Sequence, residues 1–131
     1  MNPTPSPDAL LDAAREARAR AYAPYSQFQV GAALETTDGR IVTGSNVENA
    51  SFGLSICAER AAIVAAVSAG YREFRAIAIA GPDGRLASPC GACRQFMAEF
   101  NRSMRVTFAT PDGAVRTTVA ELLPYAFDFS S

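Results

Sequence analysis

The chain of 131 residues contains no histidine, and all twelve of its basic residues are arginine. Without histidine it cannot build a Ser-His or Cys-His nucleophilic pair. Without lysine it can form neither a Schiff base nor the lysine contact of a phosphate-binding loop. These two absences leave metal-assisted chemistry as the main catalytic route open to this sequence.

Charge and long apolar runs are also scarce. The formal net charge is -1, and the charges are spread along the chain, which disfavours nucleic acid and anionic membranes as partners and favours a small neutral substrate. No apolar run approaches the roughly 20 residues of a membrane span, and residues 1–7 lack the features of a signal peptide. The odd number of cysteines argues against a disulfide framework, so we expect a cytoplasmic protein.

The length and the 49% hydrophobic content predict one domain with its own core. We expect a flexible tail at 1–7 and a single domain at 8–131. Apolar periodicity and turn residues predict helices at 7–21, 56–69 and 119–123, a further helix beginning at Ser88-Pro89, and strands at 28–34, 41–44, 74–80, 104–109 and 114–118. This order predicts a three-layer α/β/α domain with a mixed, five-stranded central sheet.

The three cysteines fall in the segments Cys57-Ala58-Glu59-Arg60 and Pro89-Cys90-Gly91-Ala92-Cys93-Arg94. Zn²⁺ takes four tetrahedral ligands, so three thiolates would leave one position for water, as in catalytic zinc sites. Glu59 lies two residues from Cys57 and could carry protons between that water and a substrate.

Other interpretations of these residues exist. A cysteine can be a small buried hydrophobe, and a lone C-x-x-C can be a redox pair or half of a structural zinc site. A structural site would need a fourth protein ligand, which in a chain without histidine would be a carboxylate such as Glu59. Thiolate sites also accept other soft metals. The two cysteine segments together favour a catalytic zinc.

The two arginines beside the cysteines differ in what they suggest. Three thiolates and Zn²⁺ sum to a charge of -1, and a guanidinium donating to the sulfurs would restore neutrality. We assign this supporting role to Arg60, against the alternative of an ordinary helix surface residue. Arg94 could be a helix surface charge.

Four motifs together resemble the small cytidine deaminases in their three-cysteine form. Beside the two cysteine segments, they are Tyr22-Ala23-Pro24-Tyr25-Ser26-Gln27-Phe28-Gln29-Val30-Gly31-Ala32-Ala33-Leu34 and Asn46-Val47-Glu48-Asn49-Ala50. The resemblance covers about residues 10–127. It implies a cytidine-deaminase-like fold, one Zn²⁺ per subunit, and hydrolysis of cytidine and 2′-deoxycytidine to uridine and 2′-deoxyuridine in pyrimidine salvage.

The resemblance also implies roles for individual residues. Cys57, Cys90 and Cys93 would hold the zinc, Glu59 would shuttle protons, and the backbone of Ala58 would meet the base carbonyl. Phe28 would stack on the pyrimidine, and Asn46 and Glu48 would bind the ribose hydroxyls. Taken singly, Phe28 could instead be a core residue, and Asn46 and Glu48 ordinary loop residues.

Small members of this family are homotetramers whose pockets are completed by neighbouring subunits. Phe127 and Phe52 match positions that reach across, although each could instead pack within its own chain. Tyrosine is more usual at position 52, so a hydroxyl contact is missing here. Two alternative functions remain: a deaminase of the same fold acting on another cytosine compound such as blasticidin S, and a non-catalytic structural zinc module.

Overall fold

The computed structural model describes residues 7–129, in which four α-helices surround a five-stranded sheet. The elements are α1 (Pro7–Ala17), β1 (Gly31–Thr36), β2 (Ile41–Ser45), α2 (Ala58–Ser68), β3 (Phe74–Ala80), α3 (Gly91–Phe100), β4 (Arg105–Thr110), β5 (Gly113–Thr118) and α4 (Val119–Leu122). Most of the tail predicted at 1–7 lies outside the described residues, and Pro7 is already the first residue of α1.

The strands lie in the order β2-β1-β3-β4-β5, with β3 and β4 parallel and the other neighbours antiparallel. Alternate residues of a strand point to opposite faces of the sheet. On one face Ala33 and Ala78 pack with Leu10 and Ala14 of α1. On the other face the central strands pack against α2 and α3. The predicted three-layer α/β/α fold with a mixed sheet is confirmed.

The first strand begins three residues later than predicted, at Gly31 rather than at residue 28. The Asn46 side chain accepts from the Val30 amide at 2.8 Å and donates to the Phe28 carbonyl at 2.9 Å. These two side-chain bonds, together with a bond from the Asn46 backbone amide to the Val30 carbonyl, hold residues 28–30 beside Asn46 ahead of the first strand.

The starts of α2 and α3 also differ from the prediction. Ser88 was expected as the N-cap of the third helix, with Pro89 in its first turn, but Cys90 is the N-cap and α3 begins at Gly91. The Ala87 amide donates to the Ala109 carbonyl at the end of β4, which keeps the following residues out of the helix. Cys57 was expected in the first turn of α2 and is its N-cap instead. Both residues have the extended backbone typical of N-caps.

Two glycines allow helices to approach the sheet closely. A Cβ on Gly44 of β2 would lie 2.3 Å from the Ala62 nitrogen and 2.8 Å from the Ala58 oxygen of α2. A Cβ on Gly31 would lie 2.0 Å from the Ala14 oxygen of α1.

Within the described residues, no helix is both long and apolar enough to cross a membrane.

Candidate metal centre and active site

The folded chain brings its three cysteines together. The Sγ atoms of Cys57 and Cys90 are 4.0 Å apart, and those of all three cysteines lie within 4.8 Å of one another. A tetrahedral zinc with Zn–S bonds of about 2.3 Å separates its sulfurs by about 3.8 Å. The donor set and its spacing therefore fit a Zn²⁺ ion held by three thiolates.

Helix N-termini supply all three sulfurs. Cys57 caps α2, Cys90 caps α3, and Cys93 is buried in the first turn of α3. Neither cap side chain accepts a capping bond from a backbone amide of its own helix, and the two sulfurs lie within contact of each other. The positive end of a helix dipole favours thiolate over thiol, so both helices stabilise an anionic sulfur cluster.

Hydrogen bonds set the charge of the sulfurs. The Cys93 thiol and the Arg60 guanidinium, whose Nη2 lies 3.5 Å from the Cys57 sulfur, lower the pKa of Cys57 to about 5. The same hydrogen bond to Cys57, together with burial, raises the pKa of Cys93. The lowered pKa favours the thiolate form of Cys57, which is the form that binds metal. Arg60 thus lies close enough to donate a hydrogen bond to the Cys57 sulfur.

Glu59 is the buried carboxyl group of this site, with 4% of its surface exposed. Burial raises its pKa to about 7, and the negative charge of Cys57 acts in the same direction. A carboxyl group that titrates near neutrality can both take up and release a proton under physiological conditions.

Cys57, Cys90 and Glu59 border a cleft of about 370 Å³, which is the size of a small-molecule site. Its lining consists of Ser26, Phe28, Val30, Asn46, Glu48, Cys57, Ala58, Glu59, Ile79, Leu86, Ala87, Ser88 and Cys90. Most of the predicted site residues are therefore brought together in one place. Among the described residues, this lining includes two carboxyl groups and no arginine.

Asn46 and Glu48 line the cleft and also hold the segment that carries Phe28. Glu48 Oε1 accepts from the amides of Tyr25 and Ser26 at 2.9 and 3.1 Å, and Oε2 accepts from the Ser26 hydroxyl. These bonds, led by that of the Ser26 hydroxyl, lower the pKa of Glu48. The Asn46 amide holds the backbone of Phe28 and Val30. Both side chains thus position one wall of the cleft.

Besides Cys93 and Arg60, which are not among the lining residues, the predicted aromatic residues Phe127 and Phe52 do not line the cleft of their own chain. Phe127 is 66% exposed and does not line it. Phe52 is 74% exposed, and its ring lies 6.0 Å from that of Tyr25 on the outer side of the Glu48 segment.

Sequence reasoning missed the wall formed by Leu86, Ala87 and Ser88. The sequence predicts no part in the site for these residues. The signal available was their position immediately before Pro89-Cys90, since residues that precede a metal ligand in the chain must pass close to the metal. Arg85, in the same segment, places its guanidinium carbon 5.3 Å from the centre of the Phe28 ring.

Comparison with known proteins agrees with this geometry. Residues 5–110 match the family model of the cytidine and deoxycytidylate deaminase zinc-binding region. A cytidine deaminase of Sporosarcina psychrophila is 49% identical over 120 residues, which cover 90% of this chain and 88% of that protein. A crystal structure of a cytidine deaminase from Burkholderia pseudomallei superposes with a TM-score of 0.88 at 48% identity, covering 94% of this chain and 100% of that one.

A more distant relative bears on substrate choice. A blasticidin-S deaminase of Bacillus cereus is 32% identical over 110 residues, 78% of this chain and 79% of that protein.

The family match covers most of the chain, and three thiols converge beside a buried carboxyl group. This protein therefore belongs to the zinc-dependent cytidine deaminase family.

Proposed function

We propose that the protein hydrolyses cytidine and 2′-deoxycytidine to uridine and 2′-deoxyuridine with release of ammonia, as a cytoplasmic enzyme of pyrimidine salvage. One observation carries the proposal: three sulfurs and the buried Glu59 meet beside a cleft of nucleoside size. The absence of arginine from the described lining favours a nucleoside over a phosphorylated substrate. We also assign this activity to a single domain at 8–131.

Cys57, Cys90 and Cys93 hold one Zn²⁺, which when bound supplies a Lewis acid that acidifies a water molecule to a pKa of about 7. Three thiolates leave one coordination position for that water, which separates this site from a closed structural one. Arg60 donates to the Cys57 sulfur and offsets the excess negative charge of the thiolates.

Glu59 moves the protons of the reaction. Its carboxylate takes a proton from the attacking water and delivers it to ring N3 as the oxygen bonds to C4. It then takes the remaining proton of the new C4 hydroxyl group and gives it to the amine, so that the C4–N bond breaks, C4=O forms, and cytidine and water become uridine and ammonia. A pKa near 7 suits both transfers, because the group is readily protonated and deprotonated at neutral pH.

The remaining cleft residues orient the nucleoside. Phe28 stacks on the pyrimidine, and the backbone of Ala58, where the first N–H groups of α2 have no partner within the helix, meets the base carbonyl. Asn46 and Glu48 bind the ribose hydroxyls with the hydrogen-bonding capacity that their contacts to the backbone leave open.

We also propose a homotetramer in which a neighbouring copy completes each cleft. Tyr125, Phe127 and Phe129 project apolar rings into solvent at the end of the described chain. Phe127 does not line the cleft of its own chain, so its role at a substrate requires a second copy. Exposed aromatic groups of this kind are typical of protein interfaces.

The test is the ultraviolet absorbance change on mixing zinc-loaded protein with cytidine, using Glu59→Gln as the variant. We expect Glu59→Gln to lower kcat by about 10²- to 10⁴-fold while zinc stays bound, because the amide cannot exchange protons. A chelator that removes zinc should abolish turnover of the wild-type protein. Glu59→Gln with near wild-type kcat would refute the proton-shuttle role.

The same assay separates the alternatives. Folded, zinc-loaded protein that converts blasticidin S and leaves cytidine unchanged would transfer the assignment to that substrate, which the 32% identical relative makes the second candidate. Protein that holds zinc in a four-ligand shell and converts neither compound would be a structural zinc module.

A further inference from the structure

Arg94 of α3 joins two carbonyl groups that belong to different parts of the chain. Its Nε donates to the Pro89 oxygen at 2.8 Å, and its Nη1 donates to the Leu122 oxygen at 3.0 Å. Pro89 directly precedes Cys90, and Leu122 is the last residue of α4. We propose that Arg94 is a positioning residue that fixes the Pro89-Cys90 peptide against α4 and thereby holds the Cys90 sulfur at the metal. The inference rests on the zinc site proposed above.

The peptide before Cys90 is held on one side by the Pro89 ring, which is fully buried. Residues 86–90 lie outside regular secondary structure. A backbone hydrogen bond from the Ala87 amide to the Ala109 carbonyl ties the start of this segment to β4. Pro89 has no N–H, so its carbonyl is the only backbone group through which it can be hydrogen-bonded. Cys90 itself is exposed, unlike Cys93. Packing of the ring holds Pro89 in place, and the Arg94 bond to its carbonyl fixes the orientation of the peptide that leads into the exposed Cys90.

The other end of the bridge is firmly anchored. Val119 of α4 is buried, and its amide donates to the Met104 carbonyl at 3.0 Å. The next amide, of Ala120, donates to the Arg102 carbonyl at 2.9 Å, and the Thr118 side chain caps α4. Because α4 is bonded to the segment before β4 at two points, Arg94 ties the metal-binding peptide to the body of the domain.

The bridge depends on the shape of the guanidinium group. Arginine presents several N–H donors in one rigid plane, so Nε and Nη1 can serve two acceptors at the same time. A lysine ammonium in this position would keep the charge but not the fixed spacing between the two donors. Both partners are neutral carbonyls, so the geometry points to a positioning role rather than to charge pairing.

The test uses the full chain loaded with Zn²⁺, mixed with an excess of a chelating dye that reports the rate of zinc release. We expect Arg94→Ala to release zinc about tenfold to a hundredfold faster than the wild-type protein, the usual effect of losing a group that orients a metal ligand. We expect Arg94→Lys to release zinc almost as fast as Arg94→Ala. In the Co²⁺-loaded protein, the thiolate absorption bands should shift in both variants.

Gln95→Ala is the matched local control. Gln95 is the next residue of α3, and its Nε2 donates to the Phe127 oxygen at 2.9 Å, away from the Cys90 peptide. We expect this variant to keep the wild-type rate of zinc release and the wild-type Co²⁺ spectrum. Arg94→Ala should still fold, because the Arg94 amide keeps its helical bond to the Cys90 carbonyl and alanine favours helix.

Val106→Ala, a substitution in the buried part of β4, measures how much faster zinc is released when the fold is destabilised but the Arg94 bridge is kept. If Arg94→Ala releases zinc at the wild-type rate, or no faster than Val106→Ala at the same loss of Tm, the positioning role is overturned. Restoration of the wild-type rate by Arg94→Lys would overturn the bridge in favour of simple charge. Wild-type protein that binds no zinc would refute the metal site itself, whereas protein that holds zinc without deaminating cytidine would refute only the proposed reaction.

Discussion

Gly44→Ala tests how the sheet sets the position of the metal-binding helix. The added Cβ would lie 2.3 Å from the Ala62 nitrogen and 2.8 Å from the Ala58 oxygen, against 3.4 Å for ordinary contact. Both atoms belong to the backbone of α2, so no side-chain rotation can relieve the clash. The helix must therefore move away from β2 by about 1 Å, in a core where such overpacking costs about 1–3 kcal/mol.

The displacement would move two residues that the proposed mechanism uses. Ala58 lies between Cys57 and Glu59, so its movement carries both the sulfur and the carboxyl group with it. A misplacement of about 1 Å in an active site can cost about 10²-fold in rate. We expect Gly44→Ala to lower kcat for cytidine by about that factor and to lower Tm by roughly 3 to 12 °C.

Gly31→Ala is the control for stability without displacement of the site. Its Cβ would lie 2.0 Å from the Ala14 oxygen of α1, on the face of the sheet opposite the cysteines. We expect a similar loss of Tm, with kcat per folded molecule within about twofold of the wild-type value. Assays at a temperature where both variants are fully folded separate the two effects. Wild-type kcat in Gly44→Ala, or an equal loss of kcat in both variants, would refute the reasoning.

Two further predictions concern the walls of the cleft. Asn46→Ala leaves the Val30 amide and the Phe28 carbonyl without their 2.8 and 2.9 Å partners, so we expect a loss of about 1–3 kcal/mol in the free energy of unfolding and a higher KM for cytidine. Asn49→Ala, in an exposed loop, is the control. Equal KM values for Asn46→Ala and Asn49→Ala would argue against the role of Asn46 in positioning the cleft wall. Light scattering should give four times the 13.8 kDa chain mass, and Phe127→Ala should raise KM. A fully active monomer would contradict the tetramer.

The sequence predicted the architecture well because its strongest signals are long and periodic. The buried run of β3 and the hairpin turn at Asp38-Gly39 define strands that the structure confirms. The errors lie at element ends, where side chains compete with the backbone for hydrogen bonds. The Asn46 side chain forms hydrogen bonds to the backbone of residues 28–30, which precede β1. These bonds depend on two segments that meet only in the folded chain.

The metal ligands were predictable from residue type and spacing, but their surroundings were not. Three cysteines in a chain without histidine leave few other ligand sets, and the structure places their sulfurs within 4.8 Å. Arg94 shows the limit of such reasoning. From sequence it could be a surface charge, because nothing in the motif reveals that the Leu122 carbonyl, 28 positions later, lies within reach.

The arrangement of the site follows from where its ligands originate. Cys57 belongs to α2, and Cys90 and Cys93 belong to α3, so the spacing of the sulfurs depends on how two separate helices are held on one face of the sheet. Gly44 lets β2 contact the backbone of α2 directly, and Arg94 ties the start of α3 to α4. Each helix is thus positioned at its cysteine-bearing end by a contact to backbone atoms, which allow little adjustment. Because metal–sulfur distances tolerate errors of only about 0.2 Å, a three-thiolate site built from two helices needs constraints of this kind at both helix starts.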